Sequence, residues 1–176
     1  RYKIPFISYQ ANSNDLSSSS AHPYFVRVVP SNSDIALAAA RAMRHFGWNA
    51  IATIANDDGY ASDLALEVEQ AMHPGQVLHR MSFASDNNYD LVSVHPELAL
   101  GVKNMLAVRP RPQVFWVECT RSEEAFAVVD ALRAGIKEAH PNSTNPMEGY
   151  AIIGGLGLFE GIVPSHHADA KDDSKM

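Results

Sequence analysis

Two periods of hydrophobicity alternate along this chain. Residues 50–55 and 113–118 are short apolar runs bounded by turn residues, the pattern of strands buried on both faces. Residues 24–29, 77–83 and 150–153 are further strand candidates, and the chain enters a strand almost at its start. Between these runs the apolar positions recur every three or four residues, which predicts helices over 35–46, 62–73, 96–108 and 122–134. In the first helix Leu37, Ala40, Met43 and Phe46 fall on one stripe; in the second Leu64, Val68, Ala71 and Met72 point inward.

Start and stop signals agree with that division. Ser33 can cap the first helix, Asp34 suits its positive end, and Gly47 stops it. Residues 56–59 read as a turn, and Pro74-Gly75 ends the second helix. Gly101 weakens the third. Thr120 with Glu123 makes a capping box for the fourth, and Gly135 sits where a C-terminal glycine belongs, before a loop over 137–149. Strands separated by helices imply right-handed crossovers and a parallel sheet covered on both faces. The fold class is α/β.

At 176 residues the chain suffices for one domain or for part of a larger two-lobed unit. Apolar residues make up 46% and charged residues 19%, ordinary for a globular protein, while a net charge of -6 with no basic patch argues against nucleic acid as a partner. No apolar run is long enough to cross a bilayer. Cys119 is the only cysteine, so a disulfide framework and a CxxC metal site are absent. Asn142-Ser143-Thr144 is a glycosylation sequon in a turn-rich loop, which fits secretion. A start at Arg1 without Met or signal peptide gives the expectation of a fragment or a processed product.

Catalytic chemistry finds little support. Glycines 154, 155 and 157 lack the Lys-Ser/Thr and the helix of a phosphate loop, and no GxSxG elbow occurs. Cys119 has no placed activating histidine and reads as a buried thiol. His166-His167 with Asp169 lies in a polar tail, and the other histidines lack ligand spacing. Asp57-Asp58 is explained by a turn and Glu123-Glu124 by a helix N-terminus. No catalytic residue, metal or cofactor is therefore assigned. In open parallel sheets ligands bind beyond the carboxyl ends of the strands, which directs attention to Ser31-Asn32 and to residues 56–60, 118–120 and 154–157.

The stretches IPFISYQANSNDLSS, HPYFVRVVPSNSD and HFGWNAIATIANDDGYASD, in this order and spacing, resemble the type I periplasmic-binding-protein or Venus-flytrap module. The likeness extends in register through VFWVECTRSEEAFAVVDALRAGI to AIIGGLG. Within that family the chain is most similar to the extracellular ligand domains of class C G-protein-coupled receptors; the atrial natriuretic peptide receptor shares the module. The resemblance implies two lobes with a ligand in the cleft between them. Residues 1–30 would be the end of the first lobe and the hinge crossover, 31–164 a three-layer second lobe, and 165–176 a polar, disordered tail.

The family's SxT triplet, which meets the ligand's carboxylate, corresponds to Gln10, Ala11 and Asn12. Its acid after Pro-Ser, which meets the ligand's ammonium, corresponds to Asn32, and its YG tyrosine to Tyr60, followed here by Ala61. Glu118 matches an acid at its strand end, Gly155 stands at the last strand end, and the family's final aspartate is replaced by Leu156. Losing two acids around a cation would cost on the order of 1.5–3 kcal/mol each. Read without the family, Tyr60 is a helix-entry residue, Asn32 a turn residue and Arg27 a hinge residue, and Trp48 belongs to the core.

The resemblance thus implies a non-enzymatic, extracellular ligand-sensing domain of a cell-surface receptor. It would close its lobes on a small polar or amino-acid-like ligand and dimerise through the first lobe. The alternatives are a periplasmic or secreted solute-binding protein for uptake, and a flavodoxin-like or Rossmann-like enzyme domain.

Overall fold

The structure, a computed structural model, describes residues 3–85 and 96–155. Two short strands, β1 (Phe6–Ser8) and β2 (Phe25–Arg27), pair in parallel. A second parallel sheet contains β3 (Ile51–Asn56), β4 (Val77–Phe83), β5 (Val114–Glu118) and β6 (Ala151–Gly154), in the order β4-β3-β5-β6. Its crossovers carry α1 (Asn32–His45) into β3, α2 (Gly59–Ala71), α3 (Pro96–Ala107) and α4 (Ser122–Ala139). The fold class is the α/β parallel-sheet architecture expected of one such lobe.

Hydrophobicity set the strand order. β3 and β5 are buried at every position and lie in the centre, whereas β4, with His79 and Arg80 in its sequence, takes an edge. Side chains alternate between two cores. Ile51, Val114 and Trp116 pack with α1 and α2 through Ala36, Ala40, Met43, Leu64 and Val68. Ala52, Ile54, Phe115 and Val117 pack with α3 and α4 through Leu98, Val102, Met105, Val128 and Leu132. Among the described residues the first sheet has no such cover: Ile4, Phe6, Ile7, Tyr9, Val26 and Val28 are all exposed.

Several details differ from the sequence reading. α1 starts earlier, because Ser31 and not Ser33 is its cap. The Ser31 hydroxyl accepts from the Asp34 amide, and the Asp34 carboxylate accepts from the Ser31 amide, a reciprocal box. The Ser31 hydroxyl, which also donates to the Asp34 carboxylate at 2.5 Å, and then the Ser31 amide hold the Asp34 carboxyl below the usual carboxylate range. The buried face of α1 is Asn32, Ala36, Ala40 and Met43, so Leu37 and Phe46 stand in solvent; small alanines there let α1 lie close to α2. Gly47 does end the helix, with a φ of 70°.

Trp48 is half-buried and stacks on Phe46, with ring centroids 4.9 Å apart. The capping box expected of Thr120 and Glu123 does not form; Arg121 occupies the cap position and makes no side-chain capping bond. Gly135 lies inside α4, not past its end. A Cβ there would come within 2.7 Å of Val102 Cγ1, so the glycine serves close approach of α3 to α4 and the helix runs on to Ala139.

Candidate functional site

Strand register brings the polar strand ends to one edge. Ala55 lies beside Glu118, Asn56 beside Phe83, and Val117 beside Gly154. Period-two alternation then divides them between the two faces. Glu118 follows Val114 and Trp116 onto the α1/α2 side, and Asn56 follows Ala52 and Ile54 onto the α3/α4 side.

On the α1/α2 side, Glu118 is fully buried (0% exposed), and neither carboxylate oxygen has a hydrogen-bond partner among the described residues. Burial pushes its pKa up to about 8, opposed by the nearby Gly155 amide, so the carboxyl is largely protonated near neutrality. The Gly155 amide favours the charged form by proximity without reaching good hydrogen-bond geometry. A Cβ at Gly155 would overlap both Glu118 oxygens, so the Glu118 carboxyl would have to move to admit a larger residue there.

Tyr60, in the first turn of α2, is half-buried against the same core; the Asp58 side chain caps that helix by accepting from the Tyr60 amide. Burial raises the phenol's pKa, and Glu118 adds to the rise while Asn12 opposes it. Asn12 Nδ2 donates to the Tyr60 hydroxyl at 3.2 Å, and the Asn12 carbonyl accepts from the Asn32 amide at 2.9 Å. Asn32 is 4% exposed, and its Oδ1 is buried with no partner. Asn14 donates to Glu67 at 2.6 Å and accepts from the Ser33 amide at 3.1 Å, and Ser33 also donates to Glu67. The loop after β1 is thereby fastened to α1 and α2.

A chain of contacts therefore runs from Asn32 through its backbone to Asn12, from the Asn12 side chain to Tyr60, and from Tyr60 by electrostatics to Glu118, against which Gly155 lies. Gln10 and Ala11 precede Asn12 in the loop: both amides approach Ser8 Oγ, and the Gln10 side chain is exposed. Asn142 is exposed in the α4–β6 loop, away from this edge. Leu156 to Leu158, His95, His166, His167, Asp169 and the polar tail lie outside the described residues.

The α3/α4 side holds a second buried acid that sequence reasoning missed. Glu124 Oε2 accepts from Asn56 Nδ2 at 2.7 Å, and its Oε1 accepts from Ser85 Oγ at 2.6 Å. Asn56 Nδ2 also donates to Thr120 Oγ1 at 2.9 Å, and the Ser85 amide donates to Asp57. Cys119 is buried on this side; burial, with Glu124 and Glu118 nearby, pushes its thiol pKa far up, the opposite of what a nucleophile needs. Among the described residues no group of three His, Cys, Asp or Glu side chains is placed to hold a metal, and no helix is long and apolar enough to cross a membrane.

Comparison with known proteins gives matches over part of the chain. The family model described as receptor family ligand binding region matches residues 1–100. The receptor-type guanylate cyclase gcy-8 of Caenorhabditis elegans is 37% identical over 73 residues, 41% of this chain and 6% of that protein. Metabotropic glutamate receptor 4 of Rattus norvegicus is 41% identical over 59 residues, 34% of this chain and 6% of that receptor. Taste receptor type 1 member 3 of Gorilla gorilla gorilla is 39% identical over 59 residues, 34% of this chain and 7% of that receptor. The matched stretches are thus a small part of the length of these relatives.

Proposed function

The chain belongs to the receptor family ligand binding region, and from this premise we propose that it is part of an extracellular ligand-sensing domain. On this reading residues 1–30 are the end of a first lobe and the hinge crossover, and 31–164 supply most of a second lobe. The uncovered apolar residues of β1 and β2 are where the rest of the first lobe packs. The parent is a cell-surface receptor that works as a homodimer through that first lobe, with no enzymatic activity in this part.

One observation carries the reading. The loop after β1 is joined by the Asn12–Tyr60 hydrogen bond to a phenol that feels the charge of Glu118, a buried acid with unpartnered oxygens at the carboxyl edge of the larger sheet. A small polar ligand with a cationic or hydrogen-bond-donating end would meet Glu118 and Tyr60. Its acceptor groups would meet the Asn12 and Gln10 amides. Closure of the lobes on such a ligand would shift the population toward the closed state. The sequon at Asn142 fits an extracellular surface.

Thermal unfolding against a panel of amino acids, amines and small carboxylates tests this directly, since a ligand of the native state raises Tm. At least one class is expected to do so, with the effect lost in Tyr60→Ala and Asn32→Ala. If no compound raises Tm and both variants unfold like the parent, the reading fails.

A further inference from the structure

The end of the sheet opposite the candidate site holds a cleft of about 610 Å³. Ala50, Gln113 and Tyr150, which precede β3, β5 and β6, line its floor, and the α4–β6 loop forms its wall. That volume is within the range of sites for small organic molecules, roughly 300–1,000 Å³. We infer that this cleft is a second small-molecule site, taking a compact organic anion whose carboxylate or phosphate monoester meets Arg111 and Tyr150.

Two arginines of the Arg109-Pro110-Arg111-Pro112 stretch differ in what they do. Arg109 Nη1 donates to the carbonyls of Leu106, Ala107 and Val108 and closes the C-terminus of α3. Arg111 has no such duty. It is half-buried in the cleft wall, its Nε is buried without an acceptor, and it pairs with no carboxylate among the described residues. A partly buried cation without a counter-charge is costly, so an oxyanion placed there is strongly favoured.

The neighbours of Arg111 leave it available. Its Nη1 lies 3.0 Å from His140 Nε2, and the Tyr150 hydroxyl is also 3.0 Å from that nitrogen. Guanidinium donates only, so Nε2 accepts and the ring proton sits on Nδ1. One lone pair then serves two donors, and the Tyr150 hydrogen is free to turn to a ligand oxygen. Stacking on Phe115, with centroids 6.1 Å apart, keeps the Tyr150 ring in place. Glu148 lines the same cleft without pairing to Arg111, so the ligand body beyond its anionic end should donate hydrogen bonds to Glu148 and not carry a second negative charge.

The test is an NMR titration of the 176-residue chain, following the His140 and Tyr150 ring signals at fixed ionic strength. The probes are glucose 6-phosphate for the phosphate monoester, gluconate for the carboxylate, and glucose as the uncharged control. Saturable shifts with one or both anions and none with glucose are expected, the stronger anion identifying the preferred headgroup. Arg111→Met should weaken binding about tenfold or more, by loss of a charge-assisted contact. Tyr150→Phe, which keeps the stacked ring, should weaken it less and covers the case in which the arginine variant misfolds. Arg133→Met, a cation paired with Asp130 outside the cleft, should change nothing. Absence of a saturable shift with both anions, or equal affinity in Arg111→Met or in Tyr150→Phe, would overturn the inference.

Discussion

Two acids at the same sheet edge, Glu118 and Glu124, are both almost fully buried, yet they live in opposite circumstances. Glu124 accepts from Asn56 and Ser85, one hydrogen bond on each oxygen, and so ties β3, α4 and the segment after β4 together. Glu118 has no hydrogen-bonded partner among the described residues, yet Tyr60, itself bonded to Asn12, is close enough to feel its charge, and Gly155 lies against its carboxyl. A buried acid whose needs are met inside the fold is a structural tie. A buried acid whose needs are not met is ready for something that arrives later.

The largest test of that contrast is pH. The folded-state pKa of Glu118 is raised to about 8 from an ordinary 4.5, so the native state holds its proton longer than the unfolded chain does. The stability from the neutral acid is complete below pH 4.5, declines as pH rises toward 8, and is gone above that. Within this window the slope should approach about 1.4 kcal/mol per pH unit. Denaturant titrations at several pH values should show this slope in the parent and its loss in Glu118→Gln. Equal slopes in the two proteins would mean that Glu118 is already ionised.

Next in size, Glu124→Ala removes the acceptor of one buried and one partly buried hydrogen bond and leaves the Asn56 amide short of a partner. A loss of about 3 kcal/mol in urea unfolding is expected at neutral pH. Gly155→Ala drives a methyl group into the Glu118 carboxylate and should cost about 2 kcal/mol. Combined with Glu118→Ala, most of that cost should disappear, a coupling that a double-mutant cycle measures. The smallest effect is Tyr60→Phe, which deletes the Asn12 contact at a half-buried position and should lower stability by roughly 0.5 kcal/mol. Its ligand response should fall much more than its stability.

The sequence made the sheet legible because burial on both faces leaves an uninterrupted apolar run, as in β3 and β5. Turn glycines such as Gly47 were legible for a similar reason: the backbone there demands them. What stayed hidden depends on distance in space. Gly135 looks like a helix stop until α3 is seen against it. Ser31 and Ser33 are both sound caps in isolation, and the reciprocal bond with Asp34 decides between them. Leu37 and Phe46 outrank alanine in hydrophobicity, but close approach of α1 to α2 selected the alanines.

The candidate site divides in the same way. The family resemblance pointed to Asn12, Asn32, Tyr60, Glu118 and Gly155; strand register sets Gly155 near Glu118, and the loop after β1 links Asn12 to Tyr60 and Asn32. Glu124 was passed over as a helix-start acid, since its partners Asn56 and Ser85 lie 68 and 39 residues away. The cleft at Arg111 had no local signal beyond a Pro-flanked arginine.

The central claim is that the Glu118 edge, and not the Glu124 edge, is the binding surface. Backbone amide shifts recorded while the amino acid, amine and carboxylate panel is titrated in would test it most directly. Shifts centred on Asn12, Asn32, Tyr60, Glu118 and Gly155, and lost in Tyr60→Ala, are predicted. Shifts centred on Asn56, Ser85 and Glu124, or unchanged in Tyr60→Ala, would contradict it.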